Sequence, residues 1–361
     1  HVLNGQGKAP ALATLDLFTS AGGIPGPGKN EDLANDRRNA TVPAAFHAIL
    51  TLLDVYGTKT FEEVARPTQR ILALHTEGWK ADLARTLQAL VDADVRARAA
   101  GAGRSAGLWA AGYEFYSENG SIARRLVRWS EENGALIRTA DLAGHTTPVE
   151  EPVFVQYRGL TVYKCGAWTQ GPYILETLNI LEGYDLKSMG RNSADYIHVV
   201  VEALKLGLAD RDYYLADPAF VHVPLHEMLS DEYAALRRGL IDTEHASLDV
   251  RPGDPANMRA LLQAEKMPAG IDGLKSDTTT CIAADRWGNV VVATPSGWGG
   301  ALAGDTGVWM NSRLSSLNTW KGHPNVVAPG KRPRITLTPT LVTRGDVPVM
   351  AISIAGGDAQ D

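Results

Sequence analysis

The sequence is poor in cysteine, because only Cys165 and Cys281 carry thiols among its 361 residues. They lie too far apart along the chain for the closely spaced pairs typical of zinc sites and dithiol redox sites. Cysteine often behaves as a small hydrophobic residue, so two buried free thiols are the preferred interpretation. A single disulfide between them is the alternative.

Long apolar runs and an excess of positive charge are also missing. No run approaches the 18 consecutive apolar residues that indicate a membrane-spanning helix. The net charge is −6 and no long basic run occurs, so a surface for nucleic acid or anionic membrane is not indicated. With 44% apolar and 21% charged residues, disorder, collagen and coiled coil are excluded for most of the chain. The first residue is His1 rather than Met, which leaves the compartment open.

Residues 43–284 have a mainly helical pattern. Apolar residues recur at helical spacing from Ala44 to Tyr56, just before Gly57, and Ser193 precedes a second long periodic stretch. A small polar residue before such a stretch and a glycine after it are typical helix boundaries. Within this region, Val153–Val155 and Leu160–Tyr163 predict the two strands of a β-hairpin.

The pattern changes after Ser276, where short β-rich runs are separated by Gly, Asn and Pro. Trp287–Asn289 predicts a tight turn between the first two runs. A helix-rich segment followed by strands favours an α+β fold in which helices cover sheets. The predicted strands are Thr278–Ala284, Val290–Thr294, Gly307–Met310, Thr338–Thr343 and Val347–Ile354.

The stretch Ser276–Asn289 begins with three consecutive threonines. β-propensity alone would explain them as the polar start of a hairpin. The stretch also resembles the start of the catalytic subunit in the gamma-glutamyltransferase family, which shows Asp-Thr-Thr-His, a later Asp and then Gly-Asn. Thr278 and Asp285 keep the family spacing, and Gly288-Asn289 follow.

Further family-like segments occur in the same order along almost the whole chain. Asn325–Pro333 with Thr338–Thr340 is similar to a Pro-Asn-Lys-Arg-Pro…Ser-Pro-Thr block, and Gly356-Gly357 is similar to the family's glycine pair. The upstream matches are Ala9-Pro10, Tyr56–Thr58, Leu178–Glu182, Ala209–Arg211 and Leu215–Pro218. The resemblance implies the four-layer αββα sandwich of N-terminal-nucleophile (Ntn) hydrolases, in which helices cover two stacked antiparallel sheets.

The resemblance implies autocatalytic cleavage of a proenzyme between Asp277 and Thr278, without a metal or an organic cofactor. The threonine hydroxyl is a weak nucleophile, and the α-amine that cleavage frees, with an ordinary pKa of about 7.7–8.0, can act as its base. Gly356 and Gly357 are the expected oxyanion donors, although a simple turn after a strand is the alternative.

Two hydroxyl residues match positions that support the nucleophile in relatives, Thr280 and Ser296. Thr280 stands where the family usually has His, so at this position the sequence departs from the family pattern.

The residues expected at the substrate differ from those of gamma-glutamyl enzymes. Gln6 stands where the family has an Arg for the α-carboxylate, and Ser316 stands where it has an Asp for the α-amine; Thr336 falls in the place of a serine pair. Each lost charge-assisted hydrogen bond costs about 1.5–3 kcal/mol. The sequence therefore predicts an amide substrate without a glutamyl head group.

Three further residues lie in segments that line the family's pocket, Trp298, Trp309 and Arg313. Core packing for the tryptophans and a surface ion pair for the arginine are the alternatives.

The expected division of the chain is a helix-rich, large-subunit-like segment, residues 1–277, and a β-rich, small-subunit-like segment, residues 278–361, intertwined in one domain. Family members begin earlier and run further, so the sheets are expected to be incomplete. The expected partners are a small amide or peptide-like substrate and the other cleaved subunit, not nucleic acid. Two alternative functions stay open: a true gamma-glutamyltransferase or glutathione hydrolase with substituted anchors, and a catalytically idle binding protein.

Overall fold

The computed structural model describes residues 1–24, 37–263, 278–296, 300–357 and 360. The chain divides into two compact units, each assembled from three separate segments. The first unit consists of His1–Glu151, Gly297–Thr319 and Val327–Pro333, and the second of Pro152–Ser296, Trp320–Val326 and Arg334–Asp361. Both units therefore contain chain from before and after Thr278.

The first unit is mainly helical. A short antiparallel ladder joins β1 (Val2–Leu3) to β2 (Val149–Glu150). Its helices are α1 (Leu15–Ser20), α2 (Ala45–Tyr56), α3 (Phe61–Leu72), α4 (Gly78–Ala99), α5 (Arg104–Tyr116), α6 (Ser121–Glu132) and α7 (Thr139–Ala143). The helices from α2 onward pack around a core that includes Leu50, Leu108 and Ile122, whereas Phe18 of α1 packs in a separate cluster with Leu314.

The structure confirms the predicted end of α2 at Gly57, whose N–H bonds to the carbonyl of Leu53. The strand predicted at Gly307–Met310 is wrong, since only a single bridge joins Leu302 to Trp309. Gly307 has φ +69, and a Cβ there would lie 2.1 Å from the Leu83 backbone nitrogen of α4. This left-handed, closely packed glycine interrupts the extended backbone that a strand needs.

The second unit combines an antiparallel sheet with helices. Its four strands are ordered β3 (Val153–Tyr157), β4 (Leu160–Lys164), β7 (Thr340–Arg344) and β8 (Val347–Ile352). A separate pair consists of β5 (Cys281–Ala284) and β6 (Val290–Ala293). The helices are α8 (Pro172–Glu182), α9 (Leu186–Met189), α10 (Ala194–Tyr214), α11 (Leu225–Met228) and α12 (Asp231–Arg238).

Local interactions explain where several of these elements begin and turn. The β3–β4 hairpin forms as predicted, with Arg158 and Gly159 in its turn at φ 51° and 77°. Ser193 caps α10 as predicted, because its hydroxyl accepts a hydrogen bond from the Tyr196 backbone nitrogen at 3.1 Å. Leu175 of α8 packs on the sheet against Val155. The expected α+β class is confirmed.

A buried ionic cluster joins α8, α10 and α12. Asp210 accepts hydrogen bonds from the Tyr233 hydroxyl at 2.7 Å, the Gly253 backbone nitrogen at 2.7 Å and Arg237 Nη2 at 3.2 Å. Glu176 lies 3.8 Å from Arg237 Nε. Asp210 belongs to one of the family-like segments, and its contacts give it a role in helix packing.

The two cysteines are both free. Cys165 is buried as predicted, whereas the prediction of a second buried thiol is wrong, since Cys281 is exposed at the start of β5. All four residues of this strand are exposed, so the position does not bury the thiol. None of the described helices is both long enough and apolar enough to cross a membrane.

Candidate active site

In the second unit, Thr278 lies half-buried just before β5. The predicted strand Thr278–Ala284 is therefore shorter than expected, since regular pairing begins at Cys281. The Thr279 backbone nitrogen donates to the Pro295 carbonyl at 2.9 Å. This bond holds the entry to β5 against the exit from β6 and fixes the backbone next to Thr278.

The turn between β5 and β6 is built around Asp285. Its Oδ1 accepts hydrogen bonds from the backbone nitrogens of Trp287 at 2.9 Å and Asn289 at 3.0 Å, and its Oδ2 accepts from Asn289 Nδ2 at 2.7 Å. These hydrogen bonds lower the pKa of the Asp285 carboxyl, and the bond from the Asn289 side chain has the largest effect. Gly288 has φ +91, a conformation that favours glycine. The Asp-x-x-Gly-Asn signature thus specifies a hairpin turn, and the predicted turn is confirmed.

The end of β8 is tied to the end of β6. The hydroxyls of Thr294 and Ser353 lie 2.9 Å apart, and the Ser353 hydroxyl donates to the Ala293 carbonyl at 3.3 Å. Gly356 and Gly357 follow this strand end; Gly356 is exposed and Gly357 is buried. Gly357 has φ +61, a left-handed conformation that favours glycine.

Gln360 makes a direct contact with Thr278. Its Nε2 donates a hydrogen bond to Thr278 Oγ1 at 2.8 Å, and the residue is 3% exposed. The Oε1 of the same carboxamide is buried and has no hydrogen-bond partner within the described residues. Sequence reasoning did not assign Gln360 to the site, because its contact with Thr278 depends on how distant parts of the chain fold together.

The other predicted residues of the second unit are Thr280, Ser296, Thr336 and the cleavage residue Asp277. Thr280 is exposed, and within the described residues its hydroxyl makes no hydrogen bond to Thr278. Ser296 and Thr336 are half-buried. The predicted cleavage residue Asp277 lies outside the described residues.

Thr336 follows Ile335 on a segment that is fixed by two backbone hydrogen bonds. The Ile335 nitrogen donates to the Trp168 carbonyl at 3.2 Å, and its carbonyl accepts from the Gln170 nitrogen at 2.9 Å. This pairing fixes the backbone next to the predicted substrate-binding hydroxyl.

In the first unit, Gln6 is buried in a tight loop. Its side-chain Nε2 donates to the Gly7 carbonyl at 3.3 Å, and the backbone carbonyl of Gln6 accepts from Arg332 Nε at 3.1 Å. Ala9 exchanges backbone hydrogen bonds with Gly330 and Lys331 at 2.9 and 2.8 Å. The Ala-Pro segment and the Lys-Arg-Pro segment, far apart in sequence, thus lie side by side.

Arg313 and Ser316 bound a short 3-10 turn in the same unit. Asn311 Oδ1 accepts from the Arg313 backbone nitrogen at 3.0 Å and from the Thr41 hydroxyl at 2.9 Å, which fixes the entry to this turn. Arg313 is partly buried and Ser316 is buried.

Trp309 is half-buried, and its ring meets that of Trp79 edge to face with centroids 6.0 Å apart. Trp298, the third predicted pocket residue, lies outside the described residues.

The part of the chain that the structure describes contains no group of three or more His, Cys, Asp or Glu side chains arranged to hold a metal ion. His145, in the first unit, is buried, and burial lowers its pKa to about 3. The ring is therefore neutral at physiological pH.

The chain is similar to several known proteins. Over 243 residues the chain is 35% identical to the Acylase ACY 1 proenzyme of Pseudomonas sp. (strain SE83), covering 66% of this chain and 40% of that protein. It is 26% identical over 393 residues to the Glutathione hydrolase proenzyme of Bacillus subtilis (strain 168), covering 99% of this chain and 64% of that protein. The chain thus spans between 40% and 64% of the length of these curated relatives.

A solved structure of LmbA2991HD matches with a TM-score of 0.79 and 33% identity, covering 99% of this chain and 68% of that chain. The Helicobacter pylori gamma-glutamyltranspeptidase structure matches with a TM-score of 0.54 at 19% identity, covering 73% of this chain and 80% of that chain, which shows a shared fold. Residues 80–361 match the sequence model described as Gamma-glutamyltranspeptidase. The chain belongs to the gamma-glutamyltranspeptidase family.

Proposed function

We propose that this chain is an autoprocessed Ntn amidohydrolase or acyltransferase that forms an acyl-enzyme on Thr278 and acts on amides without a glutamyl head group. The observation that carries the proposal is the placement of the Thr278 hydroxyl. It lies at the entry of β5, half-buried and bonded to Gln360 at 2.8 Å. A threonine fixed there matches the nucleophile of the family.

The maturation step uses the same hydroxyl. Thr278 Oγ1 attacks the carbonyl carbon of Asp277, the C–N bond between the two residues breaks, and the hydroxyl proton passes to the released nitrogen. Water then hydrolyses the resulting ester. The products are a carboxylate on Asp277 and a free α-amine on Thr278.

In turnover, the free α-amine takes the proton of Thr278 Oγ1 as the oxygen attacks the substrate amide. The tetrahedral intermediate collapses when the C–N bond breaks and the ammonium returns the proton to the leaving amine. Water, or an acceptor amine, then attacks the ester and gives a proton to the α-amine, and this proton passes to Oγ1 as the ester C–O bond breaks. The backbone N–H groups of Gly356 and Gly357 are the proposed oxyanion donors, and Thr280 and Ser296 are proposed to support the nucleophile.

The proposed specificity follows from the neutral residues at the two expected charged anchors. Gln6 and Ser316 cannot form ion pairs with an α-carboxylate and an α-amine, and Thr336, Arg313 and Trp298 are proposed to complete the substrate site. The relative named an acylase, at 35% identity, supports a non-glutamyl acyl group. The relatives named glutathione hydrolases, such as that of Bacillus subtilis, support the alternative of a true gamma-glutamyltransferase.

Cleavage would produce two subunits, residues 1–277 and 278–361, which are proposed to stay together. Support comes from the composition of the two compact units, each of which contains chain from both sides of Thr278. No metal or organic cofactor is required by the proposed chemistry, because the nucleophile and its base belong to one residue.

The intact mass of the denatured protein tests the nucleophile. We expect two species, the smaller beginning at Thr278, and a single uncut species for Thr278→Ala. Thr279→Ala is the matched control, because it removes the neighbouring exposed hydroxyl and keeps the backbone N–H that bonds to Pro295; it should still be cut. A wild-type chain that stays uncut on prolonged incubation would overturn the proposal and favour a binding protein.

Specificity is tested with butyryl and γ-glutamyl 4-nitroanilides, which share a leaving group and differ only in the α-amine and α-carboxylate. We expect the γ-glutamyl group to give no gain in kcat/KM. Two intact charge-assisted anchors would instead give a gain on the order of a hundredfold or more, and that result would favour the true gamma-glutamyltransferase. Cleaved protein that turns over neither these anilides nor other small amides would favour the idle binding protein.

A further inference from the structure

The carboxamide of Gln360 carries a donor and an acceptor, and only the donor makes a hydrogen bond among the described residues. Nε2 donates to Thr278 Oγ1 at 2.8 Å. Oε1 is buried and has no partner among the described residues. A buried acceptor without a donor lowers the stability of a protein by about 1–3 kcal/mol. Such an atom beside a proposed catalytic group indicates a hydrogen bond that forms at a later stage, to a donor created by cleavage or brought by a substrate.

Cleavage before Thr278 would create a donor at the same residue. The peptide nitrogen of Thr278 would become an α-amine with two N–H bonds and a lone pair, a few ångströms from its own hydroxyl. We propose that Gln360 is a catalytic residue: Nε2 donates to Thr278 Oγ1 while Oε1 accepts an N–H from the freed α-amine. This inference rests on the proposed function of Thr278.

The two bonds would act at different moments of the reaction. The bond from Oε1 would turn the amine lone pair toward the Thr278 hydroxyl, so that the proton can be taken. The bond from Nε2 would stabilise negative charge on Oγ1 when the acyl C–O bond breaks and water has attacked the ester. The donor therefore assists deacylation most, and Gln360 itself neither gains nor loses a proton.

Two substitutions separate the donor from mere space filling. Gln360→Glu keeps an acceptor and replaces the donor by a carboxylate, whereas Gln360→Met keeps the length and removes both polar atoms. At pH 8 we expect kcat to fall about 10- to 100-fold in both variants, with KM within about twofold of wild type. The residue touches Oγ1, so its loss should act on kcat.

The pH dependence distinguishes a hydrogen-bond donor from a structural residue. A glutamate at this buried position has a raised pKa and regains an O–H donor as the pH falls. The ratio of Gln360→Glu to wild-type kcat should therefore rise from pH 8 to pH 5, while the ratio for Gln360→Met should stay flat. Equal ratios at all pH values, or a kcat near wild type in both variants, would overturn the inference.

A matched control exists on β3, where Gln156 Nε2 donates to the Thr161 hydroxyl at 2.9 Å. Gln156→Glu breaks the same kind of bond within the same unit. It should leave kcat, and its pH dependence, within about twofold of wild type. A fall as large as that of Gln360→Glu would assign the effect to stability and count against the inference.

A protein that neither cleaves itself nor turns over substrate would remove the proposed function but not the contact. Urea unfolding of the uncut wild type, Thr278→Ala, Gln360→Met and the double variant then forms a double-mutant cycle. A coupling of about fivefold in the unfolding equilibrium constant, the value expected for a hydrogen bond of about 1 kcal/mol, would retain the contact. Additive effects would overturn the inference independently of activity.

Discussion

Glu176 is a carboxyl with no exposure, held between Asp210 and Arg237 on neighbouring helices. Burial, and then the negative charge of Asp210, raise the pKa of Glu176 well above its ordinary value. The folded protein therefore keeps a proton on Glu176 at pH values where the unfolded chain has released it. The contribution of this bound proton to the free energy of unfolding is fully present below the unfolded pKa of about 4.3. It is lost as the pH rises toward and through the folded pKa.

The variant Glu176→Gln should remove this pH dependence. Glutamine is neutral at every pH and fills nearly the same space, so its advantage over wild type should grow as the pH rises from 5 to 8. The limiting slope is about 1.4 kcal/mol per pH unit for one proton. Urea unfolding of both proteins at pH 5 and pH 8 measures it.

Glu182→Gln is the matched control, since Glu182 ends the same helix and is exposed. Its difference from wild type should be the same at both pH values. A parallel pH dependence for Glu176→Gln and wild type would show that Glu176 is ionised in the folded protein, against the prediction.

Single residues differ in how far the sequence alone identifies them. Thr278 could be singled out because a spaced signature surrounds it. Asp285 belongs to the same signature, yet only its hydrogen bonds to Trp287 and Asn289 show that it serves the hairpin turn. Gln360 could not be predicted as a site residue, because its contact with Thr278 depends on long-range folding of the chain.

At the scale of elements, the features best predicted are those with strong local chemistry. The end of α2 at Gly57, the cap at Ser193 and the β3–β4 turn at Arg158-Gly159 each depend on residues adjacent in sequence. The strand predicted at Gly307–Met310 failed for the opposite reason. Its apolar residues suit a strand, but contact with a distant helix holds Gly307 in a left-handed conformation.

Local propensity also fails to predict where β5 begins, next to the proposed nucleophile Thr278. Propensity extends the strand back to Thr278, whereas ladder pairing begins at Cys281. The three threonines precede the strand, with Thr279 bonded to Pro295. Thr278 therefore lies outside the regular ladder but is still fixed by its neighbours, which suits the proposed role of its hydroxyl as the nucleophile.

At the scale of the whole molecule, the proposed cut would separate chains that share both compact units. In the first unit, the Thr41 hydroxyl donates to Asn311 at 2.9 Å, a bond between residues on opposite sides of the cut. In the second unit, β4 pairs with β7, and Lys164 Nζ donates to the Thr338 carbonyl at 2.7 Å. Breaking one peptide bond leaves all of these interactions in place.

We therefore expect the fragments 1–277 and 278–361 to remain together after cleavage. Native mass spectrometry should give 38.7 kDa plus one water molecule per cleaved chain, or a whole multiple of that mass, while denaturing conditions should separate the two fragments. The uncut Thr278→Ala variant provides the reference for the native mass. Release of residues 278–361 under native conditions would mean that the bonds crossing the cut do not hold the two pieces. Thr278, the first residue of the smaller fragment, would then be separated from the rest of the fold as soon as cleavage freed its amine, and this result would contradict the proposed hydrolase.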